Sequence, residues 1–232
     1  MLTAGLLAAG GAAAVAAHGI VGPNSRVFGP VIGRGPWDRG LYLSFDDGPN
    51  PRATGRILRV LEREGVPATF FMVGRYVERY PEVAREVAAA GCSIGNHTYS
   101  HPKLALLGPG RIAQEIGRAH SAIVDLTGIT PRAFRAPHGY RNPFVGRVVA
   151  RYGYRVFGWT LGVWDSDRPG AKTIRTRVRR RARAGAIILL HDGDGYEPAG
   201  DRTQTAEALP GIIDDCREMG YEFRDLHRLG SA

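Results

Sequence analysis

The sequence predicts an α/β fold built on a parallel sheet or barrel, and three observations carry that expectation. Short apolar runs rich in branched and aromatic residues alternate with segments of helical periodicity, seven times along the chain. Gly and Pro punctuate the joints between them. Polar side chains gather where the apolar runs end: Asp46 and Asp47, His97 and His101, Arg135, Asp165 and His191 all fall at or just past the ends of different predicted strands. In a barrel those ends meet at one mouth, where such folds keep their chemistry.

The rest of the chain is arranged around the first strand, Leu41-Tyr42-Leu43-Ser44-Phe45, which stops at Asp46, Asp47 and a Gly48-Pro49 turn. Neighbouring side chains on a strand point to opposite faces, so the two carboxylates are expected to do different work, one on a metal and one on a proton. A helix over 52–64 follows, with Ile57, Leu58 and Leu61 on one face and Gly65 as its stop. The spacing then predicts a strand over 68–73 and a helix over 75–90 ended by Gly91. A strand over 92–95 runs straight into His97-Thr98-Tyr99-Ser100-His101. A helix over 109–126 leads to a strand at Ala133-Phe134, which delivers Arg135-Ala136-Pro137-His138-Gly139-Tyr140. Next come a helix over 143–152, a strand over 155–160 and the loop Trp164-Asp165-Ser166-Asp167. A basic helix over 172–183 precedes the strand 186–190 and His191. A helix over 205–219 and a short strand over 221–223 close the pattern.

At 232 residues the chain suits one domain with a sizeable core. We divide it into an N-terminal signal or signal-anchor segment with its connector, residues 1–40, and a catalytic domain, residues 41–232. A net charge of +9 invites comparison with nucleic-acid binders, but zinc-finger spacing and RNP-type aromatic motifs are missing, so nucleic acid is not expected as a partner. Much of the excess sits in residues 172–183 and reads as a solvated helix face. Two cysteines, Cys92 and Cys216, make neither a disulfide framework nor a metal site. Residues 2–17 are almost uninterrupted Ala, Leu, Gly and Val, with the small pair Ala14/Ala16 that a signal peptidase requires, though without a basic start. The expectation is an extracytoplasmic protein, secreted or anchored at the cell envelope, with membrane association through residues 2–17. The oligomeric state is not legible.

His97 and His101 have the i, i+4 spacing that puts two imidazoles on one face of a helical turn. With one Asp they make a three-ligand set that leaves a position for water and substrate, as a catalytic metal requires. Taken in order, Phe45-Asp46-Asp47-Gly48-Pro49, His97-Thr98-Tyr99-Ser100-His101, Arg135-Ala136-Pro137 and Leu189-Leu190-His191 resemble the successive motifs of the polysaccharide deacetylases, the NodB-homology domains of carbohydrate esterase family 4. The resemblance implies a distorted (β/α) barrel with about seven parallel strands. It also implies metal-dependent hydrolysis of N-acetyl groups from N-acetylglucosamine-type units of peptidoglycan or a chitin-like glycan.

Carried over residue by residue, the resemblance makes Asp47, His97 and His101 the ligands of one divalent ion, zinc or a similar ion such as cobalt. Asp46 becomes the general base and His191 the acid that protonates the leaving amine. The backbone N–H of His138 would hold the developing oxyanion. Arg135 would orient Asp46 through a charge-assisted bond, with Asp165, or in its place Asp167, as a second carboxylate on the guanidinium. Leu189 would line the acetyl pocket, and Tyr140 and Trp164 would stack on sugar rings. The chain departs from the family's usual pattern at His138, where an aromatic residue is common, and at Ser166, where Trp is; both bear on substrate choice. A deacylase acting on a lipid-linked sugar or small amide, and a glycan-binding domain without catalysis, are the competing readings.

Overall fold

The structure, a computed structural model, describes residues 2–229. Seven strands pair in parallel in the order β5-β4-β3-β2-β1-β7-β6. They are β1 (Gly40–Asp46), β2 (Ala68–Met72), β3 (Ser93–Asn96), β4 (Ala133–Phe134), β5 (Arg155–Val156), β6 (Leu161–Gly162) and β7 (Ile187–His191). An eighth, β8 (Glu222–Phe223), pairs with the first residues of β1. The sheet curls into a half-barrel, as expected of a distorted (β/α) barrel.

Strand β1 is buried along its whole length, as a central strand covered on both faces must be. Leu41, Leu43 and Phe45 point to the outer core, packed with Ile57 and Leu61 of α2 (Thr54–Glu64), Ile188 and Leu190 of β7, and Ile212 of α8 (Thr203–Glu218). Tyr42 points the other way, into a cluster with Phe71, Phe157 and Ile187. The period of two therefore puts Tyr42, Ser44 and Asp46 on the barrel's inner face, and the same alternation puts Ile187, Leu189 and His191 of β7 there. The inner rows of β1 and β7 each end on a chemically active side chain, Asp46 and His191.

Two expected elements come out divided. The helix expected over 75–90 is two, α3 (Gly74–Arg79) and α4 (Pro81–Ala89), because Pro81 has no N–H to continue the ladder and takes the first turn of a new helix. Of the strand expected over 155–160 only Arg155–Val156 forms a strand, β5, and strand pairing resumes just past it, in β6 at Leu161–Gly162. Between β5 and β6 the chain must cross the open seam of the half-barrel, from one edge of the sheet to the other. Ile32 seals that seam by bridging to Phe157, with Ile32 N donating to Val156 O and Gly158 N to Ile32 O.

The remaining helices are α5 (Pro109–Thr127), α6 (Pro143–Arg151) and α7 (Ala171–Arg181), close to their expected spans. The apolar N-terminal stretch is helical, α1 (Leu2–Val21). Among the described residues no helix is long and apolar enough to cross a membrane. Four cations of the basic run of α7 are engaged: Arg175 and Arg179 bind Asp215 on α8, while Arg177 and Arg181 donate to the carbonyls of Val163 and Gly162.

Candidate active site

All the strand-end polar residues converge at one mouth. Asp47, His97 and His101 are buried, and their ligand atoms lie within 4.8 Å of one another. Asp47 Oδ1 is 3.0 Å from His101 Nε2 and 3.4 Å from His97 Nε2. Tetrahedral N and O ligands at about 2.0–2.1 Å from zinc would stand about 3.3 Å apart, so the two Asp47–His separations have the right length. Asp47 Oδ1 is also a buried carboxylate oxygen that accepts no hydrogen bond, as an oxygen reserved for a cation would be. Both the donor set and its spacing fit a divalent metal ion.

The backbone brings these groups together by means the residue pattern does not show. Asp47 has φ 74°, a left-handed conformation that ends the strand's alternation. Its carboxylate therefore turns back beside that of Asp46, whose Oδ2 is 3.7 Å from the same His97 Nε2. The two carboxylates face one imidazole rather than opposite faces. Nor do His97 and His101 share a helical turn. They flank a loop in which Thr98 and His101 are also left-handed, at φ 68° and 60°. Asn96 Oδ1 accepts from Thr98 N, Thr98 Oγ1 from His101 N, and the buried Glu115 of α5 from both N and Oγ of Ser100. His97 donates Nδ1–H to Arg135 O at 2.8 Å, which fixes its tautomer and aims Nε2 at the centre.

Arg135 is fully buried. Its Nη1 donates to Asp46 Oδ1 at 2.7 Å and to Ser44 Oγ at 2.9 Å, and its Nη2 to Gly158 O at 3.0 Å. The Phe71 ring lies 4.1 Å from the guanidinium carbon and that of Trp159 5.8 Å. The expected Arg135–Asp46 bond is present, but neither Asp165 nor Asp167 joins it. Asp165 belongs to His191 instead: Oδ1 accepts from Nδ1 at 2.8 Å, while Oδ2 accepts from the His191 backbone N and from Thr205 Oγ1. Desolvation alone would lower the His191 imidazolium, but the Asp165 charge and hydrogen bond, with Asp47 and Asp46 behind, carry it up to about 9. Burial would raise Asp165, and the same pair with His191 outweighs it and holds Asp165 below its usual value. The site thus has a buried carboxylate on an arginine at one side and a charged imidazole on a carboxylate at the other.

The groove residues are placed less uniformly. His138, left-handed at φ 58°, packs edge-on to His101 with ring centroids 4.8 Å apart and lies 5.7 Å from Tyr140. Leu189 is buried on the inner face beside His191. Trp164 is exposed, left-handed at φ 50°, and has the Arg181 guanidinium 5.0 Å from its ring. Sequence reasoning missed Tyr196, whose hydroxyl meets His138 Nε2 at 2.9 Å and whose ring stands edge-on to His101. It lies on the loop after His191, where no motif marks it. Missed too were Ser44 and Thr205, which steady Arg135 and Asp165, and Asp192. Burial pushes the Asp192 carboxyl up to about 7, against the bond Thr54 Oγ1 donates to it.

A sequence model of the polysaccharide deacetylase family matches residues 34–157. The chain is 38% identical over 213 residues to a chitooligosaccharide deacetylase of Bradyrhizobium sp. (strain ANU 289), a match that takes in 88% of this chain and 94% of that protein. It is 33% identical over 194 residues to a peptidoglycan-N-acetylglucosamine deacetylase of Bacillus cereus, across 82% of this chain and 87% of the relative. Among solved structures, a family 4 carbohydrate esterase from Streptomyces lividans in complex with acetate superposes with a TM-score of 0.70 at 33% identity, over 78% of this chain and 89% of that one. With the expected motifs gathered at one mouth of a half-barrel, the chain belongs to the polysaccharide deacetylase family.

Proposed function

We propose that this protein is a zinc-dependent hydrolase that removes N-acetyl groups from N-acetylglucosamine-type units of a cell-envelope glycan, peptidoglycan or a chitin-like oligomer. The observation that carries the reading is the pairing on either side of the ligand triangle: Asp46 held by Arg135, and His191 held by Asp165. Relatives named for chitooligosaccharides and for peptidoglycan support the substrate class. Export or anchoring at the envelope through residues 2–17 would put the enzyme beside such a substrate.

The chemistry follows from two groups with opposite tasks. A cation held by Asp47, His97 and His101 would act as a Lewis acid on water and on the acetamide carbonyl. Asp46, oriented by Arg135, takes the proton from the attacking water as its oxygen bonds to the carbonyl carbon. The backbone N–H of His138 stabilises the oxyanion that develops. His191, kept as the imidazolium by Asp165, gives its proton to the amide nitrogen as the C–N bond breaks, leaving acetate and a free amine. Leu189 lines the acetyl pocket, and Tyr140, Trp164 and His138 border the sugar.

The test is acetate release from N-acetylglucosamine oligomers and peptidoglycan by metal-stripped protein, before and after zinc or cobalt is returned, with Asp46→Asn beside it. Release that needs the metal and that the substitution abolishes is the expected result. Tight metal binding without acetate from any of these glycans would overturn the substrate class, and failure to bind metal would overturn the mechanism.

A further inference from the structure

The family match begins at residue 34, yet the segment before it is built into the wall of the mouth. Two glycines of the barrel clear the space it occupies, and a third, within it, lets it pack on itself. A Cβ at Gly139, in the turn that carries His138, would stand 2.9 Å from Pro23; one at Gly158 would strike Asn24 Oδ1 and come within 2.6 Å of Pro23 O; within the segment, one at Gly33 would strike the Asn24 carboxamide. Asn24 Nδ2 donates to Trp159 O at 2.8 Å. Arg141, buried just past Tyr140, donates its backbone N to Ile20 O and its guanidinium to Ser25 O at 2.6 Å. Ile32 brackets Phe157 through Val156 O and Gly158 N. Apart from the Gly33–Asn24 packing inside the segment, every one of these contacts falls on residues 137–141 or 156–159.

Those two segments carry the chemistry. Residues 137–139 hold the His138 N–H, and Gly158 O accepts from the Arg135 nitrogen opposite the one on Asp46. We propose that residues 22–33 are a strap of the active site, with Pro23 and Asn24 as positioning residues that hold the Gly158–Trp159 backbone under Arg135 and the His138 turn beside it. The working unit then begins near residue 18, not at 41. Peptidase cleavage at the Ala14/Ala16 pair would leave the strap whole. The glycines at 139 and 158 follow as clearances for it, and Gly33 as the clearance for Asn24 within it.

This inference deepens the deacetylase reading and rests on it, and the two fail separately. Acetate release by the full-length, metal-loaded wild type tests the reading. The strap is tested by the ratio of variant to wild type, using the double variant Pro23→Gly/Asn24→Gly and, independently, Gly33→Ala, which lies outside the catalytic groups and displaces Asn24 sterically. We expect each to lower kcat about tenfold with KM and zinc affinity unchanged, as a sub-ångström misplacement of catalytic groups does. Amide hydrogen exchange at His138, Gly139 and Gly158 should quicken in both, whether or not the glycan has been identified. A lowered melting temperature with wild-type kcat and unchanged exchange at those amides would make the segment a mere stabiliser and overturn the proposal.

Discussion

Two clusters in this protein join arginine to buried aspartate, and they behave as different materials. At the mouth, Arg135 and Asp46 are both out of water, with Phe71 and Trp159 flanking the guanidinium and Ser44 Oγ and Gly158 O accepting from two more of its N–H groups. Between α7 and α8, Asp215 is equally buried, but Arg175 and Arg179 reach it with about half of each side chain in solvent. Asp215 is drawn down to about 2, first by its hydrogen bond with Arg175. The wet cluster fastens two helices. The dry one fixes a single carboxylate in a single pose, which a proton acceptor needs and a fastener does not.

Arg135→Met is the most damaging way to break the contrast. It leaves Asp46 buried without its cation, a change that costs about 3–5 kcal/mol in comparable buried pairs, and it should abolish activity as well as lower the melting temperature. Asp46→Asn separates the two effects: the fold and zinc content should persist while acetate release falls by about 10²–10⁴. A variant that retained activity would remove Asp46 from the reaction. Asp165→Asn probes the other side of the site. In the proposed mechanism His191 works as the imidazolium, so activity should be present below its pKa and lost above it; removing the Asp165 charge lowers that pKa, and the alkaline limb of kcat/KM should move to lower pH. An unmoved limb would mean that another group protonates the amine.

Glu115→Ala asks how far the support extends. With the Ser100 bonds gone the loop between His97 and His101 loosens, and zinc affinity measured against a chelator should fall by about 10–100-fold, with kcat at saturating zinc much less affected. Asp215→Asn should be mildest for catalysis, leaving kcat within about twofold, because surface-exposed partners contribute little to a distant site. Its signature is in acid stability. Asp215 has a depressed pKa in the fold, so the stability it contributes is present above the unfolded value of about 3.9 and is lost as pH falls towards 2. The variant should lose that acid-sensitive component, which a pH series of melting temperatures would reveal.

Much of this was legible before any coordinates. Strand and helix periods located the elements, and the rule that barrel chemistry sits at strand ends picked out Asp46, Asp47, His97, His101, Arg135, Asp165 and His191. What stayed hidden depends on backbone conformation or on long-range pairing. Nothing in the residue types says that Asp47 leaves the strand left-handed, so alternation wrongly sent the two carboxylates apart. The i, i+4 spacing of the histidines suggests a helical turn, and nothing in the residue types reveals that Thr98, β-branched and improbable there, is left-handed and breaks it. Asp165 was found from its place after a strand, but its choice of His191 over Arg135 is settled by register across the sheet. The strap was invisible because Pro23, Asn24 and Gly33 look like any Gly/Pro-rich connector. Pro81, by contrast, was in plain view as a break in the helix over 75–90.

Five residues of the mouth, Asp47, Thr98, His101, His138 and Trp164, hold left-handed backbone without being glycine. Such conformations cost on the order of 1–3 kcal/mol each and persist only where the surroundings enforce them. Anyone wishing to transplant this centre onto another scaffold would therefore gain little by copying the ligands and proton carriers alone. The recipient would relax those positions into ordinary extended or helical backbone and scatter the donors. What has to be moved is the set of loops together with their fasteners, Asn96, Glu115 and Thr205 among them, so the portable unit of this chemistry is a piece of architecture rather than a list of side chains.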